Sequence, residues 1–79
     1  MFILTKSESE LVNVDNVVSL YVESGFTGKT YIRARVGNSA ETILLGEYTK
    51  EEAMQVFKAL LFEIKTGNKS NCIEMSSLI

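Results

Sequence analysis

The length and composition of the chain describe one small globular domain. Its 79 residues are 46% hydrophobic and 23% charged and carry a formal net charge of −2, which is typical of a folded protein rather than a disordered one. The acidic balance argues against nucleic acid as a partner, because such binding usually requires a basic patch. One cysteine and no histidine exclude an internal disulfide and a His/Cys zinc site, and we predict no cofactor and no metal.

Further features of the sequence predict a cytoplasmic homo-oligomer. The N-terminal sequence MFILTKSESE lacks the basic and cleavage regions of a signal peptide, and no apolar run approaches the ~18 residues of a membrane span. We therefore expect no membrane partner, and a single cysteine suits a reducing compartment. Because so short a chain buries little core, we also expect stabilisation by an interface between copies.

The N-terminal third begins with two short strands. Phe2–Thr5 favours a strand, and Leu11–Asn13 can return beside it after a polar turn. Asn13, Asp15 and Asn16 then interrupt the apolar pattern. We interpret them as a turn, because a calcium loop needs more oxygen donors at set spacing.

Two alternating segments predict neighbouring strands with one apolar and one polar face. In 17–23 the apolar face is expected to hold Val18, Leu20 and Val22, and in 30–36 it is expected to hold Ile32, Ala34 and Val36. The opposite face then carries Tyr21 and Glu23 beside Tyr31, Arg33 and Arg35. A further strand is predicted from Thr42 to about Gly46 or Glu47.

Between these strands lies the stretch ESGFTGKT, whose last three residues resemble the end of a phosphate-binding loop. Such a loop needs four residues between its glycines and a following helix. Here Gly25 and Gly28 are separated by two residues, and a strand follows. We predict a hairpin loop in which both glycines supply positive φ angles.

A helix from Lys50 to Thr66 is predicted by a change of period from two to 3.6. Thr49 and Glu52 form a capping box at its start, and Gly67 supplies the stop signal. The predicted apolar arc contains Ala53, Met54, Val56, Phe57, Leu60, Leu61 and Ile64. Phe62 falls in the polar arc beside Lys58. It is either an ordinary exposed aromatic residue or, together with Lys58, a candidate for an interface with a partner or a second copy.

The segment after Gly67 allows two interpretations. Residues 68–79 form a tail in which Ile73 and Met75 alternate with Glu74. The tail is either a disordered end or a strand that completes the sheet of a neighbouring subunit, and the second interpretation makes Ile73 and Met75 interface candidates.

These elements predict an α+β fold. A small antiparallel β-meander of three to five strands carries one amphipathic helix on one face. Residues 1–67 form the single domain, and the short tail follows it.

The polar residues do not indicate an enzyme. Histidine is absent, so the common general base and the usual partner of a serine or cysteine nucleophile are missing. The stripe formed by Tyr31, Arg33 and Arg35, with Tyr21 opposite, has two interpretations. It could bind an anionic ligand or an acidic partner surface, or it could consist of cross-strand pairs that only keep an open face soluble.

The patterns LVNVDNVVSLYVE and ILLGEYTKEEAMQVF resemble those of short uncharacterised proteins of Gram-positive bacteria, their phages and other mobile elements. The resemblance covers roughly residues 1–66 and includes no catalytic signature. It implies a small accessory factor that occupies a host protein or sequesters a small molecule.

Three classes of function therefore stay open. The first is protein–protein interaction, such as inhibition of a host system. The second is sequestration of a nucleotide-like anion by an oligomer. The third is regulation through nucleic acid, against which the net charge argues.

Overall fold

The computed structural model describes residues 1–37, 40–67 and 71–78. Within these ranges the chain forms six strands, one α-helix and three short 3-10 turns. The strands and the helix, in chain order, are β1 (Phe2–Leu4), β2 (Leu11–Asn13), β3 (Val17–Ser24), β4 (Lys29–Val36), β5 (Thr42–Thr49), α1 (Lys50–Thr66) and β6 (Cys72–Glu74).

Strands β3, β4 and β5 form the predicted antiparallel meander. Leu20 lies opposite Ala34 and Val22 lies opposite Ile32, so their side chains share the face that forms the core. Ala34 and Ile32 are fully buried there. The predicted alternation of these two strands is confirmed over most of their length.

Val18 is an exception to that alternation. Val17 pairs with Val36 and Ser19 pairs with Arg35, and the irregularity between them leaves Val18 without a register partner. Its side chain is 65% exposed, so its predicted place on the apolar face is wrong. A β-bulge of this kind reverses which side of the strand a residue faces, and alternation alone does not reveal it.

Helix α1 has the predicted bounds and the predicted capping box. The Glu52 amide donates to Thr49 Oγ1 and the Thr49 amide donates to Glu52 Oε1, which satisfies two of the backbone donors that a helix start leaves free. Ala53, Val56 and Leu60 are buried. Met54 and Leu61 are 52% and 44% exposed, so the predicted apolar arc is wider than the stripe that the sheet covers.

The C-terminal segment forms a strand that pairs with another strand of the same chain. Strand β6 pairs in parallel with β1, and Ile73 lies opposite Ile3. With β2 on the other side of β1, these strands form a second three-stranded sheet. The predictions of a disordered tail and of pairing with a neighbouring subunit are therefore wrong for residues 71–78. Residues 68–70 and 79 lie outside the described ranges.

One core joins the two sheets and the helix. Its fully buried members from the small sheet are Ile3 and Ile73, and Met75 follows directly after β6. They belong to the same cluster as Ile32 and Leu45 of the meander. The predicted α+β fold of a meander with one helix is confirmed. No helix in the described part of the chain is long and apolar enough to span a membrane.

Candidate functional site

The face of the meander opposite the core carries the predicted Tyr–Arg stripe. Tyr21 lies opposite Arg33, and Glu23 lies opposite Tyr31. On the other side of β4, Tyr31 lies opposite Glu47 and Arg33 lies opposite Leu44. Strand alternation therefore places side chains from all three strands on one surface, which we name the open sheet face.

Both arginines of the open sheet face lie over tyrosine rings. The Arg33 guanidinium carbon is 5.3 Å from the centroid of Tyr31, and that of Arg35 is 5.7 Å from the centroid of Tyr21. These distances are within the range of a cation–π contact. The contacts restrain all four side chains, so the structure brings together the four residues that the sequence analysis singled out.

Arg33 also forms an ion pair within the chain. Its Nε donates a 2.8 Å hydrogen bond to Glu23 Oε1, and the arginine side chain is 27% exposed while that of Glu23 is 50% exposed. A second pair joins Lys29 Nζ to Glu47 Oε2 at 3.5 Å. An anion that approaches Arg33 must therefore compete with a carboxylate that is already in place.

The hairpin between β3 and β4 forms one end of this face. The predicted hairpin loop is confirmed: Gly25 N donates to Lys29 O, and a 3-10 turn spans Phe26–Gly28. Only Gly28 of the two glycines has a positive φ, at 77°, while Thr27 also takes a positive φ, at 60°. No helix follows the loop, so the arrangement that binds phosphate at a helix start is not formed here.

The predicted positive φ is wrong for Gly25, which instead lies close to the ring of Tyr31. A Cβ atom at this position would lie 2.4 Å from Tyr31 Cε2, a distance that the ring of Tyr31 could relieve only by moving. Gly25 therefore lets the backbone of the hairpin pass close to this ring. The tight packing helps to fix Tyr31 on the open sheet face.

Phe26 is an exposed aromatic residue that sequence reasoning missed. Its side chain is 92% exposed at the tip of the hairpin. The signal in the sequence was a phenylalanine between two glycines in a segment assigned as a turn, where no neighbour in the sheet can cover it.

Two surface cavities lie outside the stripe. One, of about 390 Å³, is lined by Lys6, Ser7 and residues 44–47. The other, of about 330 Å³, is lined by residues 27–29, 47–49 and Glu52. Neither includes Tyr21, Tyr31, Arg33 or Arg35, so the stripe is an open surface and does not form the wall of either cavity.

Of the four predicted interface residues, two are exposed in the structure and two are buried. Phe62 is 65% exposed on α1, and Lys58 is also exposed, so both are available to a partner. Ile73 and Met75 are 1% and 0% exposed. Their assignment to an intermolecular interface is wrong, because they fill the core of their own chain.

Tyr48 shows a strongly perturbed ionisation. Burial, and secondarily the negative charge of Glu52, raises the pKa of Tyr48 from 10.0 to about 12. Both effects disfavour the phenolate. This residue therefore stays neutral at physiological pH and acts as a hydrogen-bond donor inside the core.

The predicted turn at Asn13 is confirmed. Asn13 Oδ1 accepts a 3.0 Å hydrogen bond from the Asp15 amide at the start of the 3-10 turn Val14–Asn16.

Within the described residues, no group of three or more cysteine and acidic side chains is arranged to hold a metal ion.

No protein-family model, no curated protein and no solved structure matches this chain.

Proposed function

We propose that the chain is a non-enzymatic binding protein whose partner is another protein that docks on the open sheet face. The observation that carries the proposal is the pair of tyrosine rings, Tyr21 and Tyr31, each of which has an arginine guanidinium within 6 Å of its centroid. Tyrosine and arginine are enriched among the residues that dominate binding energy at protein interfaces. Side chains already restrained by strand pairing also lose less conformational entropy on binding.

The surroundings of the stripe favour a protein over a small anion. Leu44, opposite Arg33, is 42% exposed, and Phe26 is almost fully exposed at the hairpin tip. These apolar groups suit a broad contact surface, whereas a small ligand is normally enclosed by a cavity. Arg33 already pairs with Glu23, which weakens the case for sequestration of a nucleotide-like anion and leaves it as the second candidate.

The wider setting of the proposal follows from the sequence. The resemblance to short proteins of phages and mobile elements supports an accessory factor that acts by occupying a host protein. The single cysteine and the small core support a cytoplasmic homo-oligomer.

The experiment compares partner capture by the wild-type chain and by variants of the open sheet face. Immobilised full-length protein is incubated with a bacterial lysate, and captured proteins are quantified by mass spectrometry. We expect one protein to be retained by the wild type and by Lys58→Ala on the helix, and to be lost with Tyr21→Ala and Arg35→Ala. With the purified partner, each of these two substitutions is expected to raise the dissociation constant by roughly 30-fold, as for a residue that dominates an interface.

Two results would contradict this proposal. Capture that is equal for all variants would exclude the open sheet face as the docking surface. Native mass spectrometry that finds a bound small molecule in the wild type, but not in an Arg33→Ala/Arg35→Ala variant, would instead support sequestration.

A further inference from the structure

Helix α1 has an exposed ridge on the side that the sheet does not cover. Its apolar members are Met54, Leu61 and Phe62, which are 52%, 44% and 65% exposed. Glu51, Lys58 and Lys65 lie among them. At 100° per residue, these six side chains occupy an arc of about 100° around the helix. We call this set the helix ridge.

Two pairs of residues on the helix ridge are placed symmetrically about Lys58, whereas the counterpart of Leu61 is the polar residue Gln55. Met54 and Phe62 lie four positions before and after it, and Glu51 and Lys65 lie seven positions before and after it. Rotation by 180° about an axis through Lys58 therefore superimposes an apolar residue on an apolar residue and an acid on a base. A surface with this property is complementary to itself in an antiparallel arrangement.

We propose that the helix ridge is the contact between two copies of this chain, packed as an antiparallel pair of α1 helices around a two-fold axis at Lys58. In this dimer, Met54 of one copy packs on Phe62 of the other, and Glu51 pairs with Lys65, each contact occurring twice. This inference rests on the homo-oligomer proposed above and specifies which surface joins the two copies and how their helices are aligned.

Charge complementarity selects the antiparallel direction. A parallel pair would place Glu51 beside Glu51 and Lys65 beside Lys65, and like charges at these positions repel. The antiparallel pair replaces both repulsions with attractions. In the antiparallel pair, the only like charges that meet are the two copies of Lys58 at the axis. The flexible stem of Lys58 can pack on Leu61 while its ammonium group turns to solvent.

The outer edge of β3 is a less suitable contact between copies. β3 is an edge strand of the meander, but the bulge at Val18 interrupts its register. Bulges of this kind are a common means of preventing edge strands from pairing. The helix ridge has no such interruption.

The proposed dimer keeps the open sheet face accessible. The helix lies on the core side of the meander, while Tyr21, Tyr31 and Arg35 lie on the opposite side. A contact through the outer side of α1 therefore directs the two sheet faces away from each other. The dimer would present two identical binding surfaces, which raises the avidity for a partner that is itself oligomeric.

Charge reversal tests the register directly. The dissociation constant of the dimer is measured by sedimentation equilibrium for the wild type, Glu51→Lys, Lys65→Glu and the double variant. We expect each single reversal to raise the dissociation constant by roughly three- to tenfold, since two exposed ion pairs are replaced by like charges. The double variant restores opposite charges across the axis and is expected to return to within about twofold of the wild type.

Glu10→Lys is the matched control for net charge, because Glu10 is exposed and lies outside the helix. The reversals also place charges unfavourably at the helix ends, but those penalties add in the double variant and cannot produce its recovery. Circular dichroism confirms that each variant retains its helix.

Two substitutions test the centre of the ridge. Phe62→Ala is expected to raise the dissociation constant at least tenfold, because it removes an apolar contact at both symmetry-related positions. Lys58→Met is expected to lower it, because it replaces the like-charged pair at the axis with apolar side chains.

Three outcomes would overturn this inference. They are a monomer at every soluble concentration, a dimer that is unaffected by Phe62→Ala, and a double variant whose loss is the sum of the two single losses. Tyr21→Ala and Arg35→Ala are expected to leave the dimer intact, so the failure of the sheet-face proposal can be distinguished from the failure of this one.

Discussion

The hydroxyl of Tyr48 donates a 3.4 Å hydrogen bond to the carbonyl oxygen of Met75. This contact joins the end of β5 to the segment after β6, and both residues are buried. Lys6 covers the same tyrosine, with its Nζ 4.2 Å from the ring centroid, while its amide donates to Leu45 O. Tyr48 therefore lies where the meander, the N-terminal segment and the C-terminal segment meet.

The raised pKa of Tyr48 predicts a loss of stability at alkaline pH. Its pKa is about 12 in the folded chain against 10.0 for an ordinary tyrosine, so the folded state retains the proton more tightly than the unfolded state. The resulting stabilisation is fully present below pH 10 and is lost as the pH rises through about 12. Urea unfolding midpoints measured across this range should fall for the wild type.

Tyr48→Phe removes this ionisation and is expected to flatten that part of the pH profile. Because it also removes the hydrogen bond to Met75, it should lower the free energy of unfolding near neutral pH by about 1 kcal/mol. Tyr21→Phe is the matched control, because it removes a tyrosine hydroxyl outside the buried core. A Tyr48→Phe profile parallel to that of the wild type would show that Tyr48 does not control the alkaline transition.

Burial of the C-terminal segment predicts that the same substitution has a large effect on stability at Met75 and a small one at Met54. Met75 is 0% exposed, whereas Met54 is 52% exposed. Met75→Ala is expected to lower the free energy of unfolding by about 2–5 kcal/mol, because it leaves a cavity in the core. Met54→Ala should change it by less than about 0.5 kcal/mol, as measured by urea unfolding at low protein concentration. Equal effects would contradict the packing of Met75.

The two glycines of the β3–β4 hairpin are expected to respond differently to alanine. Gly25→Ala introduces a Cβ that Tyr31 must avoid, whereas Gly28→Ala enters open space at a φ of +77°. Gly28→Ala should therefore cost about 1–2 kcal/mol of backbone strain and leave Tyr31 in place. Gly25→Ala should shift the NMR resonances of the Tyr31 ring and weaken partner binding. Unchanged Tyr31 resonances in Gly25→Ala would contradict this account of the glycine.

The Glu23–Arg33 pair is expected to contribute little to stability. A double-mutant cycle with Glu23→Gln and Arg33→Gln should give a coupling energy of about 0.2–1 kcal/mol that decreases at high salt, because the pair is partly exposed. If Arg33 binds a small anion, Glu23→Gln should tighten that binding by removing the competing carboxylate. Unchanged or weaker anion binding in Glu23→Gln would count against sequestration.

The elements formed by local pattern were predictable from the sequence. The bounds of α1 follow from a capping box at Thr49 and a stop at Gly67, both of which depend on residues a few positions apart. The Tyr–Arg stripe was also predictable, because strand alternation alone assigns Tyr31, Arg33 and Arg35 to one face. Its contact distances and its ion pair with Glu23 required the register between β3 and β4.

The errors arose where distant segments meet. Ile73 and Met75 look like an exposed apolar end in the sequence, since nothing in residues 68–79 indicates that Ile73 pairs with β1 about 70 residues earlier. The bulge at Val18 depends on the register between β3 and β4, and the exposure of Met54 depends on how much of α1 the sheet covers. Phe26 was missed because the hairpin was interpreted only through its glycines, although its place in a turn was a signal of exposure.

The sequence by itself determined the helix, the three strands of the meander, the fold class and which polar residues share the open sheet face, because these depend on periodicity and on signals within a few residues. Only the tertiary structure decided that the tail belongs to the core and that Arg33 is already paired. It also decided which apolar residues of α1 lie exposed on the helix ridge. These features depend on contacts between segments far apart in the chain, whose geometry no local pattern encodes.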